Sequence, residues 1–341
     1  MRRNVSLDAL KGLLIILVVL GHSLQYGFGP AYIEGAFYYD DYLFRSIYTF
    51  HVPLFMLISG CLFFHSNQRP FWSMIVSKFR YIGVPFVVYS TIIYVIWWKD
   101  MGFETFYFSD YLRKLQLNLW FLFSLLINCV IVGGITHIIP KTYKGYVLVM
   151  ICICTMLISD ESMMSMHKFA FPFFVLGYFL NGLYLKIMMY AQHTIFFVVM
   201  TVVFAGCVFT YDRGMMIYEG GYCVLHHGIL NIEQVWRNMA RFFICIISMV
   251  WFVSFFFVYM KRSSKMISSL AILGRYSLAI YGLQSVLFMV LSIILGRCHL
   301  EITHNYVSPL LICAMVLAIC WGTILVLDRW KLGKILLLGK K

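Results

Sequence analysis

Apolar residues in this chain come in long, nearly unbroken runs separated by short polar stretches, not in the alternation of a half-buried strand or the single stripe of a surface helix. A helix needs about 20 mostly apolar residues to cross the hydrocarbon core of a bilayer. Runs of that kind cover approximately Leu7–Gln25, Phe44–His65, Tyr81–Trp98, Asn118–Ile139, Gly145–Ile158, Phe169–Leu185, Thr194–Tyr211, Met239–Met260, Leu270–Leu295 and Val307–Leu327. The fifth is short. No internal repeat, low-complexity tract or linker interrupts them. The pattern predicts an all-α polytopic integral membrane protein with about ten transmembrane helices and a single domain over residues 1–341.

Composition agrees with that reading and narrows it. Hydrophobic residues make up 62% of the 341 positions and charged residues 12%, and the mean hydropathy is +0.85. A soluble domain carries roughly a quarter charged residues, so a water-facing globule, a disordered chain and a small disulfide scaffold are all excluded. The net charge of +13 would suit nucleic acid only on a soluble basic surface. Here the charges fall in loops, which makes the lipid bilayer the partner and leaves no role for nucleic acid.

The placement of charge also orients the spans. With ten of them, one set of connecting segments holds sixteen basic residues, Arg69, Lys78, Arg80, Lys141 and Lys144 among them, against one acid, Asp328. The other set holds seven basic residues against twelve acids. Basic loops stay inside, so both termini are expected in the cytoplasm. Met1-Arg2-Arg3 followed by an apolar run imitates a signal peptide, but no small-x-small cleavage site follows and the run carries Lys11 and His22. It reads as an uncleaved first helix. The longest outer loop, roughly 212–238, is a candidate lid or re-entrant piece. Cys223 and Cys298 lie in predicted outer loops, where a disulfide between them is one possibility.

Ionisable groups inside a membrane are costly and mark function by default. Lys11 and His22 are eleven residues apart, a net offset of about 20° after three turns and a separation of ~16 Å along the axis. One face of the first helix therefore carries a cation near the cytoplasm and an imidazole near the outer surface. Asp8, three residues before Lys11, is spaced to pair with it. The plainer alternative is that Lys11 snorkels to the interface and His22 is a core histidine. In the second run, Pro53 removes a backbone donor and frees the carbonyl of Thr49, which makes a polar, kinked wall with His51 and Ser59; a kink beside a satisfied histidine is the plainer version. The inner loop Ser77–Pro85 places Lys78 and Arg80 where a phosphorylated cofactor or ordinary lipid contacts would find them.

These segments resemble the acyltransferase-3 family of membrane acyltransferases. Val5–His22 resembles its opening signature of a basic residue, ten positions, then His, which Lys11 and His22 match. Phe50–Phe63 resembles its F-H-x-P-L-F-x-x-I-S-G-x-L-F pattern. Lys78–Pro85 resembles the basic segment ending in Pro. Leu119-Trp120-Phe121-Leu122 resembles a W-F-L element, and Leu273–Tyr281 resembles a late G-x-x-S-L-x-I-Y element. The late element often continues to a His, where this chain has Gln284. Where some members carry Arg-x-x-Arg, this chain has Ser77 and Arg80.

The resemblance implies acyl transfer from cytoplasmic acyl-CoA, acetyl-CoA first and a succinyl donor second, to a hydroxyl of an extracytoplasmic glycan, glycolipid or lipid-linked sugar. It implies a multi-pass protein of the cell membrane, a bacterial inner membrane by default, with no metal, and it leaves an oligomer open. His22 and Asp8 become the catalytic candidates, with His22 either a general base or an acyl carrier. Lys11, Lys78 and Arg80 become candidates for the donor phosphates. His51, Ser59, Trp120, Tyr281 and Gln284 become candidates for holding the acceptor or the oxyanion. Two other readings compete. A bundle with buried charges and broken helices also suits a non-enzymatic exporter or flippase of a polysaccharide or small molecule. Four outer histidines, His226, His227, His299 and His304, could in principle meet at a metal, though they lack the spacing of structural zinc sites.

Overall fold

A computed structural model describes residues 4–103, 107–161, 164–181, 192–259, 263–298 and 305–340. In chain order the helices are α1 Val5–Tyr26, α2 Pro30–Glu34, α3 Tyr42–Tyr48, α4 His51–Ser66, α5 Phe71–Lys78, α6 Val84–Asp100, α7 Phe108–Asn118, α8 Trp120–Ile138 and α9 Lys144–Cys154. Then follow α10 Met164–Phe179, α11 Thr194–Thr210, α12 Ile217–Gly220, α13 Ile232–Tyr259, α14 Ser264–Arg275, α15 Ser277–Cys298, α16 Val307–Leu327 and α17 Lys331–Leu336. Among the described residues the only sheet is a hairpin in the 212–238 loop, Leu225–His226 against Ile229–Leu230. Its two-residue turn needs left-handed backbone at both positions, and His227 (φ 51°) and Gly228 (φ 79°) supply it.

The protein is an all-α, multi-pass membrane protein. Among the described residues, seven helical segments are long and apolar enough to cross a bilayer: Val5–Tyr26, Tyr42–Ser66, Phe71–Asp100, Trp120–Ile138, Ile232–Tyr259, Ser277–Cys298 and Val307–Leu327. The remaining three expected spans overlap shorter helices, two of them apolar. Lys144–Cys154 has 11 residues, Met164–Phe179 has 16 and Thr194–Thr210 has 17. At 1.5 Å per residue the first of these rises only about 16 Å. The sixth expected span runs on to Leu185, beyond the described residues.

Three boundaries differ from the apolar pattern, each for a backbone reason. The expected inner loop Ser77–Pro85 is helical: α5 continues through a π turn, Phe79–Gly83, into α6. Pro85 cannot bond to the carbonyl four residues back, and a widened turn absorbs the misfit without breaking the helix. The second span is broken between Tyr48 and His51, so Pro53 stands in the first turn of α4, where its missing donor costs little, rather than at a kink. The ninth span is two helices, because Tyr276 N–H bonds back to the Leu273 carbonyl at 3.0 Å and closes a turn after α14.

The chain forms two compact units. The first comprises Met1–Ile47, Phe79–Phe123 and Lys265–Lys341, the second Tyr48–Lys78 and Ser124–Ser264. In the first unit α1 packs on α15 and α16, and α15 on α6. Glycines set these approaches: Gly27 lies against Pro309 and Gly282 against the Tyr89 ring. In the second unit α4 runs along α10. Gly60 abuts the Phe174 carbonyl, and Gly177 abuts the Leu57 carbonyl. Aromatic stacking joins α11 to α13, with the Phe204 and Trp251 centroids 3.8 Å apart.

Candidate active site

The first unit holds seven of the ten site residues expected from the sequence: Asp8, Lys11, His22, Arg80, Trp120, Tyr281 and Gln284. At the start of α1, the Asn4 side chain caps the helix by accepting the Leu7 N–H at 3.1 Å. Asp8 follows in the first turn, where the helix dipole favours an acid. Its carboxylate lies 3.0 Å from Lys11 Nζ through one oxygen and 4.0 Å from Arg275 Nε through the other. Arg275 closes α14, whose Gly274 is pressed against the backbone of Asp8. Next to this group, Lys340 Nζ sits 3.0 Å from the centroid of the Tyr276 ring.

His22 stands toward the other end of α1, half-buried. Its ring centroid is 5.7 Å from that of Phe288, on which Tyr26 also stacks at 5.3 Å. Between Lys11 and His22, the same face of α1 carries Ile15 and Val18, both buried. Asp8 and His22 are fourteen residues apart, or about 21 Å along the axis. The carboxylate therefore belongs to the cation end of the helix, away from the imidazole.

Gln284 is fully buried one turn before Phe288, on the same face of α15. Its Nε2 reaches Ser285 Oγ at 3.5 Å, and its Oε1 has no partner among the described residues. Tyr281 meets Phe121 at 5.7 Å, and Trp120 adjoins the same ring at 6.2 Å. Arg80 is exposed, its guanidinium 5.9 Å over the Tyr81 ring.

The second unit holds His51, Ser59 and Lys78. His51 opens α4, buried, edge-on to Tyr48 at 4.5 Å. Ser59 is half-buried beside the Gly60 contact. Lys78 Nζ lies 5.4 Å over the Phe63 ring.

The second unit also carries polar groups that the motifs do not point to. Ser124 Oγ and His167 Nδ1 are 2.5 Å apart, both buried, and Asn128, one turn along α8, reaches Met56 Sδ at 3.9 Å. Lys168 Nζ pairs with Asp160 at 2.6 Å. Asp160 in turn accepts the N–H groups of Tyr222 at 2.6 Å and Cys223 at 2.8 Å. Burial pushes the Asp160 carboxyl up, but the Cys223 and Tyr222 N–H groups and the Lys168 ammonium outweigh it and hold the group below the usual carboxylate range. Arg241, fully buried in α13, donates to the carbonyls of Met215 at 2.7 Å and Gly221 at 2.8 Å and to Asn238 Oδ1 at 3.0 Å. The 212–238 loop is thus tied down at both Tyr222–Cys223 and Met215–Gly221. The sequence signal for this was Lys168 and Arg241 standing beside or within apolar runs. Nothing in it pairs Ser124 with a histidine 43 residues away.

Cys223 and Cys298 are both free thiols. His226 and His227 flank and occupy the hairpin turn, while His299 and His304 lie outside the described residues. Among the described residues no three His, Cys, Asp or Glu side chains gather as metal ligands.

A membrane-spanning bundle with an ion-paired cation and an imidazole on its first helix defines a class, and the comparisons with known proteins give it a family. Residues 4–327 match the acyltransferase-3 family, described as an acyltransferase domain. The chain belongs to that family and is an acyltransferase. It is 25% identical over 312 residues to nodulation protein NolL of Mesorhizobium japonicum, covering 86% of this chain and 78% of that one. It is 29% identical over 191 residues to nodulation protein NolL of Sinorhizobium fredii, covering 52% of this chain and 48% of that one. No solved structure matches it.

Proposed function

We propose that this acyltransferase moves an acyl group, acetyl by default, from cytoplasmic acyl-CoA to a hydroxyl of an extracytoplasmic glycan or lipid-linked sugar. The reading places the protein in a bacterial cell membrane with ten spans and both termini cytoplasmic. The family match runs across both compact units, which supports treating them as one transmembrane domain.

The observation that carries this reading is the arrangement along α1. Lys11, held by Asp8 at 3.0 Å, and His22 share a face about 16 Å apart. The anionic phosphates of the donor bind at the cation end, and the pantetheine arm runs toward His22; Arg80 in the same unit and Lys78 in the second unit stay further candidates for the phosphates on the motif alone. Ile15 and Val18 are buried between them, so the helices packed on α1 part to admit the arm. Asp8 acts by positioning cations. His22 takes the proton of the acceptor hydroxyl as its oxygen bonds to the thioester carbonyl carbon. The carbon–sulfur bond breaks, and the imidazolium returns the proton to the departing thiolate. Gln284 and Tyr281 are candidates for the oxyanion. His51, Ser59 and Trp120 are candidates for the acceptor.

The test is turnover of labelled acetyl-CoA by the purified full-length protein in nanodiscs with a panel of glycan acceptors. Acceptor-dependent release of CoA is expected. Substrate flux in liposomes with no acyl-CoA consumed would replace this reading with an exporter or flippase.

A further inference from the structure

We infer that Arg275, rather than Lys11 alone, is the phosphate-binding group of the donor site, with Asp8 holding both cations in place. The inference rests on the acyl-CoA reading above and names a residue that the opening signature does not contain.

One carboxylate faces two cations. Lys11 Nζ is 3.0 Å from Asp8 Oδ1, within direct ion-pair distance, and only 17% of its side chain is exposed. Arg275 Nε is 4.0 Å from Oδ2, and 41% of its side chain is exposed. Of these two cations Arg275 is the more exposed and the more loosely held. Among the described residues the terminal nitrogens of Arg275 make no hydrogen bond. A guanidinium offers a planar fork that matches phosphate oxygens in pairs, whereas an ammonium already committed to a carboxylate acts as a point charge.

The position of Arg275 is also set by the backbone. A Cβ on Gly274 would fall 1.8 Å from the Asp8 carbonyl oxygen, and one on Gly12 would fall 1.9 Å from the Leu270 carbonyl oxygen. The helix end that carries Arg275 is therefore pressed directly onto the turn that carries Asp8 and Lys11. Preorganisation of this kind lowers the entropic cost of gripping a ligand. Nearby, Lys340 Nζ lies over the ring of Tyr276, the residue that follows Arg275.

The test compares acetyl-CoA with acetyl-pantetheine, which lacks the nucleotide and its phosphates. Arg275→Gln should raise the KM for acetyl-CoA about 10- to 100-fold, the range for losing a charged hydrogen bond, and leave the KM for acetyl-pantetheine unchanged. Arg275→Lys should recover part of the loss. An unchanged acetyl-CoA KM in Arg275→Gln, or equal changes for both donors, overturns the assignment. If the variants fail to fold, the wild-type protein decides the matter through phenylglyoxal labelling of Arg275, read by peptide mass spectrometry. CoA should protect Arg275 in zwitterionic nanodiscs. Protection that follows anionic lipid content and ignores CoA assigns the site to a lipid headgroup and overturns the proposal. A wild-type protein that consumes no acyl-CoA would instead defeat the underlying reading, whatever Arg275 binds.

Discussion

Gly274 meets Asp8 backbone to backbone: a Cβ on the glycine would stand 1.8 Å from the aspartate carbonyl oxygen. No side chain fits there, so α1 and α14 cross at contact distance, and the charged residues flanking the crossing are brought within reach of one another. Helix association in lipid relies on close packing at small residues, because burying apolar surface from lipid gains little.

The first prediction concerns that crossing. Gly274→Ala should cost about 1–3 kcal/mol through overpacking, seen as a lower midpoint of thermal unfolding in detergent. It should also raise the acetyl-CoA KM, since Asp8, Lys11 and Arg275 shift together. Gly177→Ala, where the added methyl would meet the Leu57 carbonyl at 1.9 Å, should lower the midpoint by a similar amount. A Gly274→Ala protein as stable as wild type would mean the helices separate freely at this point.

His22→Ala should reduce transfer by at least about a hundredfold, the lower range for losing a general base, in protein that still inserts and unfolds at the wild-type temperature. Normal acylation by a well-expressed variant would remove His22 from the chemistry. Rapid quenching of the wild type with labelled donor separates the two roles open to the ring. An acyl group recovered on the His22 peptide would mean a covalent relay instead of base catalysis.

Lys11→Ala should raise the KM for acetyl-CoA with little change in the KM for acceptor. Asp8→Asn should do the same more weakly, since the cations remain but lose the group that positions them. Steady-state kinetics with each substrate varied in turn would show this, and an acceptor KM that rises while the donor KM stays level would contradict the polarity of α1.

The Asp160–Lys168 pair makes the 212–238 loop acid-sensitive. The folded-state pKa of Asp160 is depressed, so its contribution to stability is present above the ordinary carboxylate value, about 4, and is lost as pH falls through the lower folded value. At pH 7 Asp160→Asn should cost about 1–3 kcal/mol by leaving the Lys168 ammonium without its counter-charge. Thermal midpoints of wild type and variant, measured from pH 7 down to pH 3, should converge below about pH 4. A gap that stays constant over that range would exclude Asp160 as the titrating group.

Much of the architecture could be read from the chain because bilayer thickness imposes a length on every apolar run. Among the described residues, seven of the ten expected spans correspond to helical segments long and apolar enough to cross a bilayer. The misplaced boundaries follow from local backbone chemistry that hydropathy ignores: Pro85 is absorbed by the π turn at Phe79–Gly83, and the turn at Tyr276 splits α14 from α15. The Lys11–His22 spacing was legible because both residues lie on one helix, where a fixed rise and rotation relate any two positions.

Relationships between helices were a different matter. The sequence by itself determined that the chain lives in a membrane, that its spanning runs are predominantly apolar, and that Asp8, Lys11 and His22 divide one helix between a charged end and an imidazole end. A helix apolar all round does not reveal which face meets which neighbour. The tertiary structure alone decided that Asp8 answers to Arg275, 267 positions later in the chain, that Ser124 bonds to His167, and that Asp160 and Arg241 fasten the 212–238 loop. Those pairings arise where glycines let backbones touch and where buried polar groups, deprived of water, must find one another.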